Sequence, residues 1–346
     1  MLACQTPRLP TDRAAQAVLG RPQAPVTEPA TTFESEIEIG ADGGTASVVP
    51  QGCGTGCCGA SGQFLCLGDL GDPVYAWGTV EATFPSLSLE KEFFQAIDPA
   101  DAGGFDPRDT LDLWRLNEIA RSSPTIYKVL SRPENLYIAR EMCWSLTGPD
   151  DARLWAIRPR TDKEVAQLVA ALEPDQNTAK QPQVLIGRRS PVPGNPLCNG
   201  APAITFNRLY PRTAATLVAE LLAAYPALAQ AQSQVQPLVN DLLALAPGAG
   251  ADDEERALNY LLLNELDLYY QTYQLRFNCR APNTYGYELT ALQPQRRQAS
   301  GGRAQVDAVL IYQGNDTGTL SRWYYRVDAA GDFPYLVQGW RRYVFS

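Results

Sequence analysis

Not one of the 346 residues is histidine. Any zinc ion held here has only thiolates and carboxylates to bind it. The usual proton acceptor for a serine or cysteine nucleophile is missing, so neither a Ser-His-Asp nor a Cys-His arrangement can be built. HExxH metalloprotease helices and haem held by imidazole are excluded with it. Acid–base chemistry falls to carboxylates, lysine, tyrosine or cysteine, which argues against an enzyme. Positive charge is scarce as well: 29 Lys and Arg stand against 38 Asp and Glu, a net charge of −9. Nucleic acid and anionic membrane surfaces would be repelled, so neither is expected as a partner. Long hydrophobic runs are absent, and no segment suffices to cross a bilayer. The opening "MLAC" looks like the end of a lipoprotein signal, yet no hydrophobic stretch precedes it, so a cytoplasmic location is expected.

What is present supports a sizeable core, since 45% of the chain is hydrophobic. Residues 1–50, with "RPQAPVTEPATTFESE", are rich in Pro, Ala, Thr and Glu without periodicity and read as a flexible arm, with "FESEIEI" as an edge strand. A Gly/Cys-rich segment follows over 51–70. From residue 71 to 346 the texture is that of one α+β domain, with a mixed, largely antiparallel sheet and packed helices. "PVYAWGTVEATF" reads as a buried strand. Helices are expected over "DTLDLWRLNEIARSS" (109–123) and "RPENLYIAREMCWSLTG" (132–148), the latter with Pro133 at its start and Gly148 just past its end. "RLWAIRP" and "PQVLIGRRS" read as strands around a helix opened by Thr161-x-x-Glu164. Residues 213–246 read as a helical pair interrupted at Pro226 and Pro237, and "ADDEERALNYLLLNELDLYYQTYQL" as the longest helix. Four strands close the chain, with "GNDTG" as a hairpin turn.

Six segments, in order, carry a resemblance: "VYAWGTV" (74–80), "RPENLYIAREMCWSLTG" (132–148), "RLWAIRPRTDKEVAQLVAAL" (153–172), "VLIGRRSPVPGNPLCNG" (184–200), "DDEERALNYLL" (252–262) and "YYRVDAAGDFPYLV" (324–337). Together they resemble the C-terminal domain of unknown function of the cyanobactin maturation proteases of the patellamide type. In those proteins the domain accompanies a subtilisin-like protease, and these residues hold no counterpart of it. The resemblance implies a non-catalytic binding or assembly role in ribosomal peptide maturation, with a peptide or protein of that pathway as partner. A homodimer is compatible with it. The resemblance also implies a Cys-rich stretch before the first strand and cysteines at the positions of Cys143 and Cys198.

The Cys-rich stretch is "QGCGTGCCGASGQFLC" (51–66), which holds four of the eight cysteines. In the cytoplasm a thiol cluster at this density points to metal more than to disulfides. Cys53 and Cys57 can both be offered by one loop, and the glycines between and around them free the backbone to wrap an ion. With Cys143 and Cys198 supplied by the resemblance, the expected structural zinc site is Cys53, Cys57, Cys143 and Cys198, with Cys58 and Cys66 as substitutes. A thiol-rich linker over buried structural cysteines, and a disulfide from Cys57 or Cys58, are the alternatives. Two function classes remain beside the binding reading. One is an enzyme using Cys57, Cys58 or a carboxylate on a precursor peptide, and the other is a structural subunit recruited through the proline-rich arm. "RR" at 188–189 and at 341–342 could hold carboxylates but read first as solvated faces. "WYY" (323–325) and Tyr269, Tyr270 and Tyr273 read as core before peptide groove, and "DDEE" (252–255) as a helix N-terminus.

Overall fold

The computed structural model describes residues 71–98, 123–174, 180–191, 198, 200–277, 286–298 and 303–344. The arm over 1–50, the segment 51–70 with Cys53, Cys57, Cys58 and Cys66, and nearly all of the helix expected over 109–123 lie outside the described residues. The remainder is α+β, as expected.

The first strand, β1 (Pro73–Thr83), is long and apolar on both sides, and the structure shows why. Val74, Ala76 and Val80 face a barrel interior, while Tyr75 and Trp77 face a second core outside it. A strand covered on both faces reads as a continuous hydrophobic run rather than an alternation. Burying each such side chain is worth about 1.5–3 kcal/mol before entropy is counted. Four more strands complete the barrel: β2 (Cys143–Thr147), β3 (Arg153–Ile157), β4 (Pro182–Arg189) and β5 (Ala203–Pro211). They close in the order β1-β2-β3-β5-β4. Only the β3–β5 contact is parallel. Trp144, Leu146, Trp155, Leu185 and Phe206 fill the interior.

Helices α1 (Leu87–Ala96), α2 (Ser123–Leu130) and α3 (Leu136–Glu141) lie between β1 and β2 in sequence, and α4 (Asp162–Ala170) lies between β3 and β4. This strand order, with a helix after β3, is that of five-stranded Greek-key barrels of the OB type. A barrel of this kind hosts many activities and assigns none by itself. Thr161 caps α4 by accepting from Glu164 N at 3.2 Å. The Glu164 carboxylate reaches one residue further back than the expected box, accepting from Arg160 N at 2.6 Å.

The helix expected over 132–148 stops early. A 3-10 turn at Pro133–Asn135 leads into α3, Met142 turns extended (φ −61°, ψ 147°), and Cys143 is the first residue of β2 rather than the end of a helix. The reason is tertiary. Every residue of "CWSLT" is buried, with β1 on one edge and β3 on the other. The Trp144 indole N–H caps the Ala139 carbonyl at 2.8 Å, where a continuing helix would have placed a backbone N–H.

Beyond the barrel come α5 (Ala214–Ala224), a 3-10 turn at Pro226–Ala231, α6 (Gln232–Leu243), α7 (Asp253–Asn264) and α8 (Leu266–Phe277). Pro226 breaks the helical pair, as expected, while Pro237 sits inside α6. A meander of four antiparallel strands follows: β6 (Tyr287–Gln298), β7 (Ala304–Gly314), β8 (Leu320–Asp328) and β9 (Tyr335–Arg342). The helices share one core with the outside of the barrel and with one face of this sheet, where Ala308, Leu310, Tyr312 and Tyr325 are buried. The helix expected to be longest is two helices, broken at Glu265 (φ −93°, ψ 94°). Carbonyls of its last turns are taken by side chains: Arg212 Nε, from the end of β5, donates to Leu263 O at 2.8 Å, and the Tyr269 hydroxyl, just beyond the break, donates to Leu262 O. With those acceptors occupied, the ladder has nothing to continue on.

Barrel and helices are joined at residues 247–251, "PGAGA". β2 pairs with β1 only over 79–83, which leaves the N-terminal half of β1 without a partner on that side. The glycine loop supplies it: Tyr75 N donates to Gly250 O (3.3 Å) and Trp77 N to Gly248 O (2.7 Å). Asn259 of α7, fully buried, fixes the loop by donating to Tyr75 O (2.9 Å) and accepting from Gly248 N (3.2 Å). The Trp155 indole holds Ala249 O at 2.8 Å. Both glycines sit at positive φ, +77° at Gly248 and +57° at Gly250.

Candidate functional site

Of the four sulfurs expected to share a zinc ion, the structure places two. Cys143 opens β2 in a buried position, and Cys198 lies in the β4–β5 loop with its Cα 5.4 Å away. The two are joined as a disulfide, a pairing that differs from those weighed from the sequence, which involved Cys57 or Cys58. While oxidised, neither sulfur offers a thiolate to metal. The geometry still fits part of the expected set, because two sulfurs converging from separate elements form half of a tetrathiolate site once reduced. Among the described residues, no group of three or more Cys, Asp or Glu is arranged to hold a metal ion.

The other sequence features fall mostly into the core. Trp323 and Tyr325 of "WYY" pack under the sheet against Trp340, and Tyr324 points to the opposite face. Tyr269 is buried, Tyr270 stacks on Tyr225 with ring centroids 4.2 Å apart, and Tyr273 donates to Gln234 at 3.2 Å. "DDEE" is a helix N-terminus, with Asp252 accepting from Glu255 N at 2.8 Å. Arg188 pairs with Asp332 at 2.6 Å, and Arg189 lies over the Trp155 ring while donating to Ala251 O at 3.1 Å. Arg341 and Arg342 are exposed on β9.

Two further places collect polar chemistry. A recess of about 380 Å³ at the end of β1 is lined by Val80, Glu81, Phe84, Glu90, Ile126 and Lys180. Lys180 pairs with Glu81. Burial pushes the Glu81 carboxyl up, but the Lys180 hydrogen bond and charge outweigh it and hold the group below its ordinary value. The recess thus holds an ion pair between Glu81 and Lys180.

The second place, at the α7–α8 break, was not legible in the sequence, because its signal depends on a helix ending where the pattern continues. Burial pushes the Glu265 carboxyl up to about 7, and the Asp267 charge adds to the shift. Asp267 N donates to Glu265 Oε1 at 3.3 Å, while Asp267 itself accepts from the Tyr325 hydroxyl at 3.0 Å. Beside them, Asn264 Nδ2 donates to the Tyr75 hydroxyl (2.8 Å), which bonds to the Tyr210 hydroxyl (3.2 Å). Burial pushes the Tyr75 and Tyr325 hydroxyls up from their ordinary value.

A linkage follows from Glu265. Its folded value of about 7 exceeds its ordinary 4.5, so between those pH values the folded chain holds a proton that the unfolded chain has released. Stability should therefore fall as pH rises through that window, by on the order of 2 kcal/mol. Glu265→Gln should flatten this slope and be the more stable protein at pH 8. Urea melts at pH 5 and pH 8 check it, and a slope unchanged by the substitution would refute it.

Comparison with known proteins matches residues 73–225 to the family described as "PatG Domain" and residues 227–343 to "PatG C-terminal". A solved structure titled "PatG Domain of Unknown Function" superposes with a TM-score of 0.55 at 19% identity, covering 78% of this chain and 98% of its own. At that identity the likeness is one of fold. No curated protein matches the chain.

Proposed function

The chain belongs to the PatG domain family, and on that premise we propose that it is a non-catalytic binding or assembly domain of cyanobactin-like peptide maturation. The observation that carries this reading is the run of both family regions over residues 73–343, barrel and helix–sheet layer together. The polar cluster at the α7–α8 break is consistent with it, since half-buried Glu265 and Asp267 are tied to backbone and to the Tyr325 hydroxyl. Incubation with cyanobactin precursor peptides, followed by mass spectrometry, should show no cleavage or macrocyclisation. Titration with the same peptides should show binding. Turnover lost in Cys57→Ala or Cys58→Ala would replace this reading with the enzyme.

We further propose that the reduced chain holds one zinc ion through Cys53, Cys57, Cys143 and Cys198. A closed four-thiolate site is structural, and it would couple the glycine-rich segment to the barrel by making metal binding part of folding. Elemental analysis under reducing conditions should give close to one zinc per chain, lost in Cys143→Ser and in Cys198→Ser. Metal-free reduced protein with titratable thiols at all eight cysteines would remove the site.

A further inference from the structure

The two edges of β1 are not paired alike. Along one side run the glycine loop and then β2. Tyr75 N and Trp77 N donate to that loop, so the backbone of the odd-numbered residues points that way. The even-numbered residues turn theirs toward β4, which pairs with β1 from Pro73 as far as Thr79. The partner of Thr79 is Pro182, which has no N–H to give, as this alternation requires. β4 begins at Pro182, while β1 runs on to Thr83. Ala82 therefore turns its N–H and carbonyl to a side where no strand lies among the described residues. No hydrogen bond takes either group there.

That side is the recess of about 380 Å³ at the end of β1. Residues 80–84, an unbroken run, form one of its walls. Side chains of successive strand residues alternate between faces, so a cavity that touches all of them meets the edge of the strand and not one face. The two sides of this edge differ. Toward the barrel core lie Val80, Ala82 and Phe84, with Ile126 of α2 and Leu172 just after α4. Toward the outside lie Glu81 and Thr83, with Lys180 paired to Glu81. The third charged residue of the lining, Glu90, is engaged as well. No charge in the recess stands spare for an acidic or a basic group.

We propose that the edge of β1 at Ala82 takes an uncharged, extended peptide segment, held through its backbone with an apolar side chain in the recess. An open strand edge offers donors and acceptors to another extended chain, and a pocket beside it selects the side chains. A segment laid there continues both sides of the edge. One set of its alternate side chains meets Phe84, Ile126 and Leu172 and is apolar. The other set meets Thr83 and the Glu81–Lys180 pair and is polar without charge. Ligand cavities run from about 300 to 1,000 Å³, so this one admits a short stretch of chain and not a folded partner. The proposal rests on the reading of this chain as a binding domain and names the edge and the chemistry it selects.

The test is fluorescence anisotropy on the full chain with a labelled eight-residue peptide, blocked at both ends, in which Val and Leu alternate with Ser and Asn. Two isomers, each N-methylated at alternate amides, separate backbone pairing from burial alone, because only every second amide of an added strand faces its neighbour. One isomer is expected to lose at least ten-fold in affinity and the other to keep it. A peptide of Ser and Asn throughout is expected to bind at least ten-fold more weakly than the parent peptide. Exchange of the Ala82 amide, followed by NMR, should slow at least ten-fold on binding, with the Thr83 amide unchanged. Ala82→Pro removes the N–H on the unpaired side and should abolish binding; the exchange measurement needs no substitution and decides the matter if that variant does not fold. No binding of the alternating peptide, equal behaviour of the two N-methyl isomers, or binding that leaves Ala82 exchange unchanged would overturn the proposal. If a precursor peptide binds the chain and leaves Ala82 exchange unchanged, the binding-domain reading stands and this edge is wrong.

Discussion

Gly250→Val is expected to abolish the folded state, with no cooperative thermal transition and no protection of the β1 amides from hydrogen exchange. A Cβ at this position would sit 1.9 Å from the Tyr75 carbonyl oxygen, and that oxygen is backbone held by Asn259. The glycine also occupies φ +57°, a conformation that costs a β-branched residue more than most. The clash cannot relax by a rotamer change. Relief requires the loop to leave β1, which strips Tyr75 N and Trp77 N of their acceptors and leaves Asn259 buried without partners. Two or more buried groups left unsatisfied, at about 1–3 kcal/mol each, add to the steric cost and reach the whole stability of an ordinary domain. A variant that melts within a few degrees of the parent would show that the loop is not part of the barrel wall.

Cutting the Cys143–Cys198 bridge is the second large effect. The two residues are 55 apart in sequence, and the segment between them carries β2, β3, α4 and β4. Closing a loop of that length in the unfolded chain is worth about 4 kcal/mol in the chain-entropy account. The double variant Cys143→Ala, Cys198→Ala should lose about that much in urea denaturation under oxidising conditions. Parent protein melted with reductant and a metal chelator should match it. Restoring zinc to the reduced parent, but not to the double variant, should recover part of the loss if the four-cysteine site forms. A double variant as stable as the oxidised parent would mean that the bridge constrains nothing.

Much of the fold was legible because local pattern and tertiary use coincide. β1, β3 and β4 are apolar runs punctuated by Gly and Pro, and their burial on both faces is what such runs imply. The meander of β6–β9 announced itself through β-branched and aromatic residues and through the turn after Gly314, where Gly318 takes φ +62°. Two helices were misjudged for one reason. At Cys143 and at Glu265 the helical pattern continues in sequence while side-chain and strand partners end it in space, the barrel edges in one case and Arg212, from the end of β5, with the nearby Tyr269 in the other. The partnership of Cys143 and Cys198 was legible only as positions, not as a bond. The arginines were half legible: the pair at 341–342 stood out, but the strand register that brings Arg297 and Arg326 onto Asp307 did not.

The glycine loop has a consequence for the order of events during synthesis. Tyr75 finds its partner Asn259 at a separation of 184 residues. All five barrel strands have left the ribosome well before the loop that finishes their wall, so for that interval the N-terminal half of β1 offers an open edge to solvent and to neighbouring chains. At about 5–20 residues per second, the roughly fifty residues between the end of β5 and Asn259 represent a delay of about 2–10 seconds. Aggregation in this protein should therefore be a matter of that window: it should worsen when translation is slowed between residues 211 and 259 and ease once α7 has emerged.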